Sequence, residues 1–127
     1  MRAQFIRGED PKITMNIGDP ILRIRDRMVM GARILCRDYE LDLSTIKSNI
    51  DERGIEVKFE GKKPNILYPF DYWIWYDKER EHYWVGYSNA NGEIEDQKPE
   101  DSLETAMLEV RIFLSKYNWH AKGVKQI

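Results

Sequence analysis

The sequence predicts an α+β domain in which a short antiparallel sheet of about four strands is covered by two long amphipathic helices, with one shorter helix beside them. Three observations carry that expectation. Tyr72-Trp73-Ile74-Trp75-Tyr76 and Tyr83-Trp84-Val85-Gly86-Tyr87 read as successive strands with large apolar groups on both faces. Asp19-Pro20 opens a long helical pattern, and Asp101-Ser102-Leu103-Glu104 opens another. A half-exposed strand alternates with polar residues, so strands apolar on both sides either lie centrally in a covered sheet or turn one aromatic face toward a partner.

The elements follow in order. Residues 2–6 form a plausible strand, and Arg7-Gly8-Glu9-Asp10-Pro11-Lys12 a turn. At Asp19-Pro20 an acidic cap precedes proline at the first helical position, where a missing N–H costs nothing, and the helix should run to about Asp38. Ile21, Leu22, Ile24, Met28, Val29, Ala32, Leu35 and Cys36 share one arc of it. Arg23, Arg27, Arg33 and Arg37 share the opposite arc, with Asp26 set among them. Arg25 falls in the apolar arc, where it must snorkel outward or find a carboxylate. Gly31 lies at the arc's edge, either as a point of close contact with another element or as a tolerated weak spot.

Asp42 or Ser44 is placed to cap the shorter helix, through Ile46 and Ile50 to Arg53, with Gly54 closing it. Ile55-Glu56-Val57-Lys58-Phe59-Glu60 then alternates as a strand with one wet face. Gly61 to Asn65 is a turn, and Pro69 limits how far the next strand extends backward. Strands near 71–77 and 82–88 flank a charged hairpin loop, and Asn89-Ala90-Asn91-Gly92 turns into a short strand around Ile94. In the last helix Asp101 is expected as cap with Glu104 answering it three residues on. Leu103, Ala106, Met107, Val110, Phe113, Leu114 and Tyr117 give it a core face. Leu108, Ile112 and, at its far end, Trp119 form a second apolar stripe on the opposite side. Residues 1–127 read as a single domain whose tail frays from about Ala121.

Composition narrows the classes of function. The net charge of −2 is too near neutrality to imply a polyanion partner, yet residues 1–37 hold eight Lys/Arg against four acids and the remainder twelve against eighteen. A chain split this way could offer two electrically distinct surfaces, unless folding interleaves them. A lone Cys36 without metal-ligand spacing fits a reducing cytoplasm. The N-terminus lacks the apolar run of a signal peptide, and no window is long and apolar enough to span a membrane.

Residues 71–119, with Tyr83-Trp84-Val85 feeding Asp101-Ser102-Leu103-Glu104-Thr105-Ala106-Met107, resemble the small αβ-sandwich domains of phage and mobile-element proteins. The resemblance implies an accessory protein, such as a host-directed inhibitor, and brings no catalytic residues with it.

No phosphate loop, nucleophile elbow or metal motif is present in the sequence, so no cofactor and no catalysis are expected. His82 and His120 are the only near-neutral acid–base groups, and His82 is more plausibly a solvated hairpin histidine than a catalyst. Cys36, in the apolar arc, reads as a small core residue. Binding is better supported, on three surfaces. Trp73, Trp75 and Trp84 are candidate anchors of a protein–protein contact, against the plainer reading that the whole aromatic block packs in the core. Glu95, Asp96 and Glu100 belong to a run of six carboxylates in twelve residues that could meet a basic partner, although a helix N-terminus alone accounts for part of it. The Leu108–Ile112 stripe could serve self-association or a partner helix, and Trp119 at its far end is a further partner-binding candidate. The alternative is nucleic-acid binding through Arg23, Arg27, Arg33 and Arg37, since guanidinium forks pair bidentately with phosphate.

Overall fold

A computed structural model describes residues 19–61 and 70–117, the side chain of Tyr117 excepted. The expected strand at 2–6, both turns at 7–12 and 62–65, Pro69, Trp119, His120 and the tail lie outside the described residues.

Helix α1, Pro20–Asp38, begins where proline and the Asp19 cap dictate: the Asp19 carboxylate accepts the Ile21 and Leu22 amides at 3.0 and 3.4 Å. It ends without glycine. Glu40 takes the left-handed conformation, at φ 57°, so that the Leu41 amide reaches the Cys36 carbonyl at 2.7 Å and the Glu40 amide the Arg37 carbonyl at 3.2 Å. Leu41 is thereby turned into the core.

The sheet is a five-stranded antiparallel meander in the order of the chain: β1 Lys47–Ile50, β2 Gly54–Glu60, β3 Asp71–Asp77, β4 His82–Ser88 and β5 Ile94–Glu100. The expected shorter helix is absent. Only a 3-10 turn at Leu43–Thr45 is helical there, capped by the Asp42 carboxylate on the Ser44 amide at 2.9 Å, and the chain then passes into β1. The reason lies in the next turn. The Asp51 carboxylate accepts the Arg53 and Gly54 amides at 2.8 and 3.1 Å, and the Asp51 amide donates to the Gly54 carbonyl at 3.0 Å, which folds β1 back onto β2. Residues 47–50 gain a ladder in place of an isolated turn of helix. Gly54 starts a strand and does not close a helix.

Alternation assigns the two faces of the sheet. Ile55, Val57, Phe59, Tyr72, Ile74, Tyr76, Tyr83, Val85 and Tyr87 turn inward and are buried. Tyr87 meets Phe113 of α2 with ring centroids 4.9 Å apart. Helix α2, Leu103–Tyr117, buries Leu103, Ala106, Val110, Phe113 and Leu114 against that face, and α1 contributes Met28, Val29, Ala32, Leu35 and Cys36. The two helices lie side by side and run in the same direction, since Arg27 pairs with Glu104, Gly31 abuts Met107 and Asp38 pairs with Arg111. A Cβ on Gly31 would sit 2.5 Å from the Met107 sulfur, so this glycine marks a close helix–helix approach.

The start of α2 lies one residue later than its acidic residues suggest. Ser102 Oγ accepts the Thr105 amide at 3.2 Å, while Thr105 Oγ1 accepts the Ser102 amide at 3.4 Å. Asp101 is exposed, and Glu104 reaches Arg27 instead of its own helix end. A serine hydroxyl held by Thr105 is the better acceptor here, because the first helical residue is Leu103. Ser102→Ala is expected to cost about 1 kcal/mol, and Asp101→Ala only a few tenths, in denaturant unfolding.

One polar pair is buried with the core. Arg25 and Asp26 are 4% and 5% exposed, with Arg25 Nε donating to Asp26 Oδ1 at 3.2 Å, while Asp26 Oδ2 has no hydrogen-bond partner. Arg25 thus finds a carboxylate, as its position in the apolar arc requires. Asp26 is inside the protein and does not sit among the surface arginines.

Candidate functional site

Neither helix covers the second face of the sheet. Trp73, Trp75 and Trp84 all point there, each half-buried, and no tyrosine of β3 or β4 joins them. Trp75 stands directly opposite Trp84, Trp73 opposite Gly86, and Trp84 opposite Pro99. The doubled hydrophobicity of the two strands therefore separates cleanly: tyrosines and aliphatics enter the core, and indoles stay outside it.

Two glycines shape this face. A Cβ on Gly86 would lie 2.5 and 2.8 Å from Cζ2 and Cη2 of Trp73, and one on Gly54 would lie 2.8 and 3.0 Å from the same atoms of Trp75. Trp73 thus lies down across β4 and Trp75 across β2, in opposite directions. Side chains at either glycine would push the rings upright. Trp73 Nε1 donates to Ser88 Oγ at 3.3 Å, which fixes its direction, and the His82 ring lies 6.0 Å from that of Trp84.

The indoles line a shallow concavity of about 500 Å³ with Glu56, Lys58, Asp71, Ser88, Gly92, Ile94 and Gln97. Glu56 stands opposite Trp75 and Lys58 opposite Trp73. The rim is mixed in charge, and its centre is aromatic. Of these residues only the tryptophans are candidates on sequence grounds; Glu56 and Lys58 read simply as the wet face of their strand. Gly86 does carry a signal, because an isolated glycine inside a strand marks a close approach. Gly54 hides its role by following a stretch with helical caps.

The other candidates are dispersed. Asp96 and Glu100 occupy positions opposite Tyr87 and Tyr83, on the helix side of β5, as does Lys98, which pairs with Glu109 of α2 at 3.1 Å. Glu95 falls where the β4–β5 register shifts, and Asn89 Nδ2 bridges it to Glu93 at 2.9 Å each. The acidic run consequently splits between the helix side of β5, the β4–β5 turn and the start of α2. Leu108 and Ile112 are 60% and 58% exposed on α2, and Met30 and Ile34 on α1 are 38% and 40% exposed. Among the arginines, Arg23, Arg27 and Arg37 are exposed and Arg33 is half-buried; Arg27 is joined to Glu104 at 3.4 Å.

Cys36 is fully buried, and burial with Asp42 nearby pushes its thiol up to about 12, so it stays protonated. His82 Nε2 is buried with no hydrogen-bond partner, and Asp77, opposite it in the register, is engaged by Arg80 at 3.0 Å. Among the described residues no cluster of His, Cys, Asp and Glu could hold a metal ion, and no helix is long and apolar enough to cross a membrane. No protein family matches the chain, and no curated protein or solved structure is similar to it.

Proposed function

We propose that this domain binds another protein, without catalysis, through the open tryptophan face of its sheet. The observation that supports this most is the seating of Trp73 and Trp75 over Gly86 and Gly54 on the side of the sheet away from both helices. The core does not need them: the opposite face is already filled by tyrosines and aliphatics. Large, rigid, amphipathic rings surrounded by polar side chains are the composition of interface hot spots, where each ring buries much area with little loss of conformational freedom. Base stacking in single-stranded nucleic acid also uses such rings, but it pairs them with a basic groove. Here Lys58 is opposed by Glu56 and Asp71 around the same concavity. Binding of this kind is sufficient for an accessory regulator or inhibitor.

The test is affinity capture from a host lysate, with and without nuclease, comparing the wild type with Trp73→Ala/Trp84→Ala. A partner lost from the double variant, retained after nuclease, and accompanied by an unchanged far-ultraviolet spectrum is the expected result. Equal capture by both proteins would refute the role of this face. Nuclease-sensitive capture, abolished by Arg27→Glu/Arg37→Glu, would shift the function to the exposed arginines of α1.

A further inference from the structure

We infer that the open face takes an arginine side chain of its partner, seated on the Trp75 indole with its guanidinium turned toward Glu56. The inference rests on the protein-binding reading above and specifies the chemistry that the face selects.

The geometry comes from the register. Glu56 is the direct cross-strand neighbour of Trp75, which places the two Cβ atoms about 5 Å apart. Because Trp75 lies down over Gly54, the side of its ring turned away from the sheet faces the partner, and Glu56 lines the same concavity. A guanidinium stacked on that ring is attracted by the π-system, and indole is the best of the aromatic side chains for this. The same planar fork can then donate two parallel hydrogen bonds to the carboxylate.

Charge decides the sign of the ligand. Glu56 is half-buried, yet among the described residues its carboxylate makes no ion pair or hydrogen bond. Its neighbour along the strand, Lys58, stands opposite Trp73 and Lys47, at the other end of the indole row. Asp77, on the same face beyond Trp75, is already satisfied by Arg80. An incoming cation at Trp75 therefore meets a carboxylate engaged in no ion pair among the described residues, while one at Trp73 meets Lys58. An anionic ligand such as a nucleic-acid strand would have to bring phosphate beside Glu56. Lysine is a poorer fit than arginine, because a compact ammonium can neither stack in a plane nor bond the carboxylate bidentately.

The experiment uses the full chain and a Gly-Ser peptide carrying two arginines, with otherwise identical peptides carrying lysine or citrulline, followed by calorimetric titration and tryptophan fluorescence. The arginine peptide is expected to bind and to perturb the fluorescence, the lysine peptide about tenfold more weakly, and the neutral citrulline peptide not at all. Glu56→Gln keeps the shape of the site and removes its charge, so it is expected to weaken the arginine peptide about tenfold with no change in melting temperature. Trp75→Ala should abolish binding; because that variant also uncovers Gly54, the Glu56→Gln result is the deciding one. Equal binding of the arginine and citrulline peptides, an unaltered affinity in Glu56→Gln, or binding of oligothymidylate in preference to the peptide would each overturn the inference. A lysate partner that depends on Trp73 and Trp84 but is not displaced by the arginine peptide would overturn it while leaving the protein-binding reading intact.

Discussion

Gly54→Ala is expected to destabilise the domain by about 3 kcal/mol, and to lower the melting temperature by roughly 10 °C. The new Cβ would overlap the Tyr76 carbonyl oxygen and press on Trp75. That carbonyl belongs to the backbone of a central strand, paired on both sides, so it cannot move without breaking the β2–β3 ladder that runs from Gly54 to Glu60. Gly31→Ala is the informative control. There the Cβ would meet only the flexible end of Met107, which can swing aside, and alanine is favoured over glycine in a helix by about 1 kcal/mol, so the two effects should nearly cancel. Gly92→Ala has open space around it but a φ of +82°, and should cost about 1 kcal/mol through backbone strain alone. Thermal denaturation of the three variants would rank them 54, then 92, then 31; a Gly54→Ala protein as stable as the wild type would mean that the β2–β3 contact is looser than described.

The second large effect belongs to Arg25 and Asp26. Asp26→Ala should cost about 3–5 kcal/mol, because it strands a guanidinium in the interior. Replacing both members together, Arg25→Met with Asp26→Leu, is expected to be neutral or stabilising by about 1–2 kcal/mol, since two desolvated charges give way to apolar packing. The unpartnered Asp26 Oδ2 makes the natural pair a poor bargain energetically. Burial pushes the Asp26 carboxyl above its ordinary value, and Arg25 only partly offsets this. Between that ordinary value and the higher folded one, the folded protein therefore holds a proton that the unfolded chain has released. The associated stabilisation is complete below the ordinary aspartate value of 3.8 and is lost as pH rises through the higher folded value. Asp42, Asp51 and Asp77 act in the other direction: backbone or side-chain hydrogen bonds hold them below 3.8, so their contribution is present above it and is lost on acidification. Urea unfolding at several pH values isolates the buried pair when the wild type is subtracted from the double variant. The advantage of the double variant should shrink as pH falls through the folded Asp26 value, and an advantage independent of pH would show that Asp26 titrates alike in the folded and unfolded chains.

How far the fold could be read depended on burial. Helix α1 and strands β3 and β4 match their expected boundaries, because each couples an unambiguous cap or turn to a strong apolar period. The edge strands were obscure for the converse reason. Lys47-Ser48-Asn49 of β1 is exposed throughout, and β5 from Ile94 to Glu100 has no buried residue, so neither carries the alternation that a core imposes. The helical misreading of 42–54 follows from Asp42, Ser44 and Gly54, which are residues that cap helices and close hairpins alike. For the site, the indoles were evident, but the side they occupy was not. Periodicity shows that Trp73 and Trp75 oppose Tyr72, Ile74 and Tyr76; which set enters the core depends on where the helices lie, a non-local fact. Glu56 gained meaning only when the register set it against Trp75.

The edges of the sheet also restrict how a partner can approach. β1 is only four residues long, and β5 is interrupted by a register shift near Glu95 and contains Pro99, which has no N–H to donate. A binding segment that sought to extend the ladder as an additional strand would find too few regularly spaced backbone groups on either border. Under the protein binding proposed above, recognition would be pushed from main chain to side chain: the domain would read the chemistry of individual residues laid on its surface, and a sequence-scrambled peptide that keeps β-propensity but loses those residues would have nothing to hold.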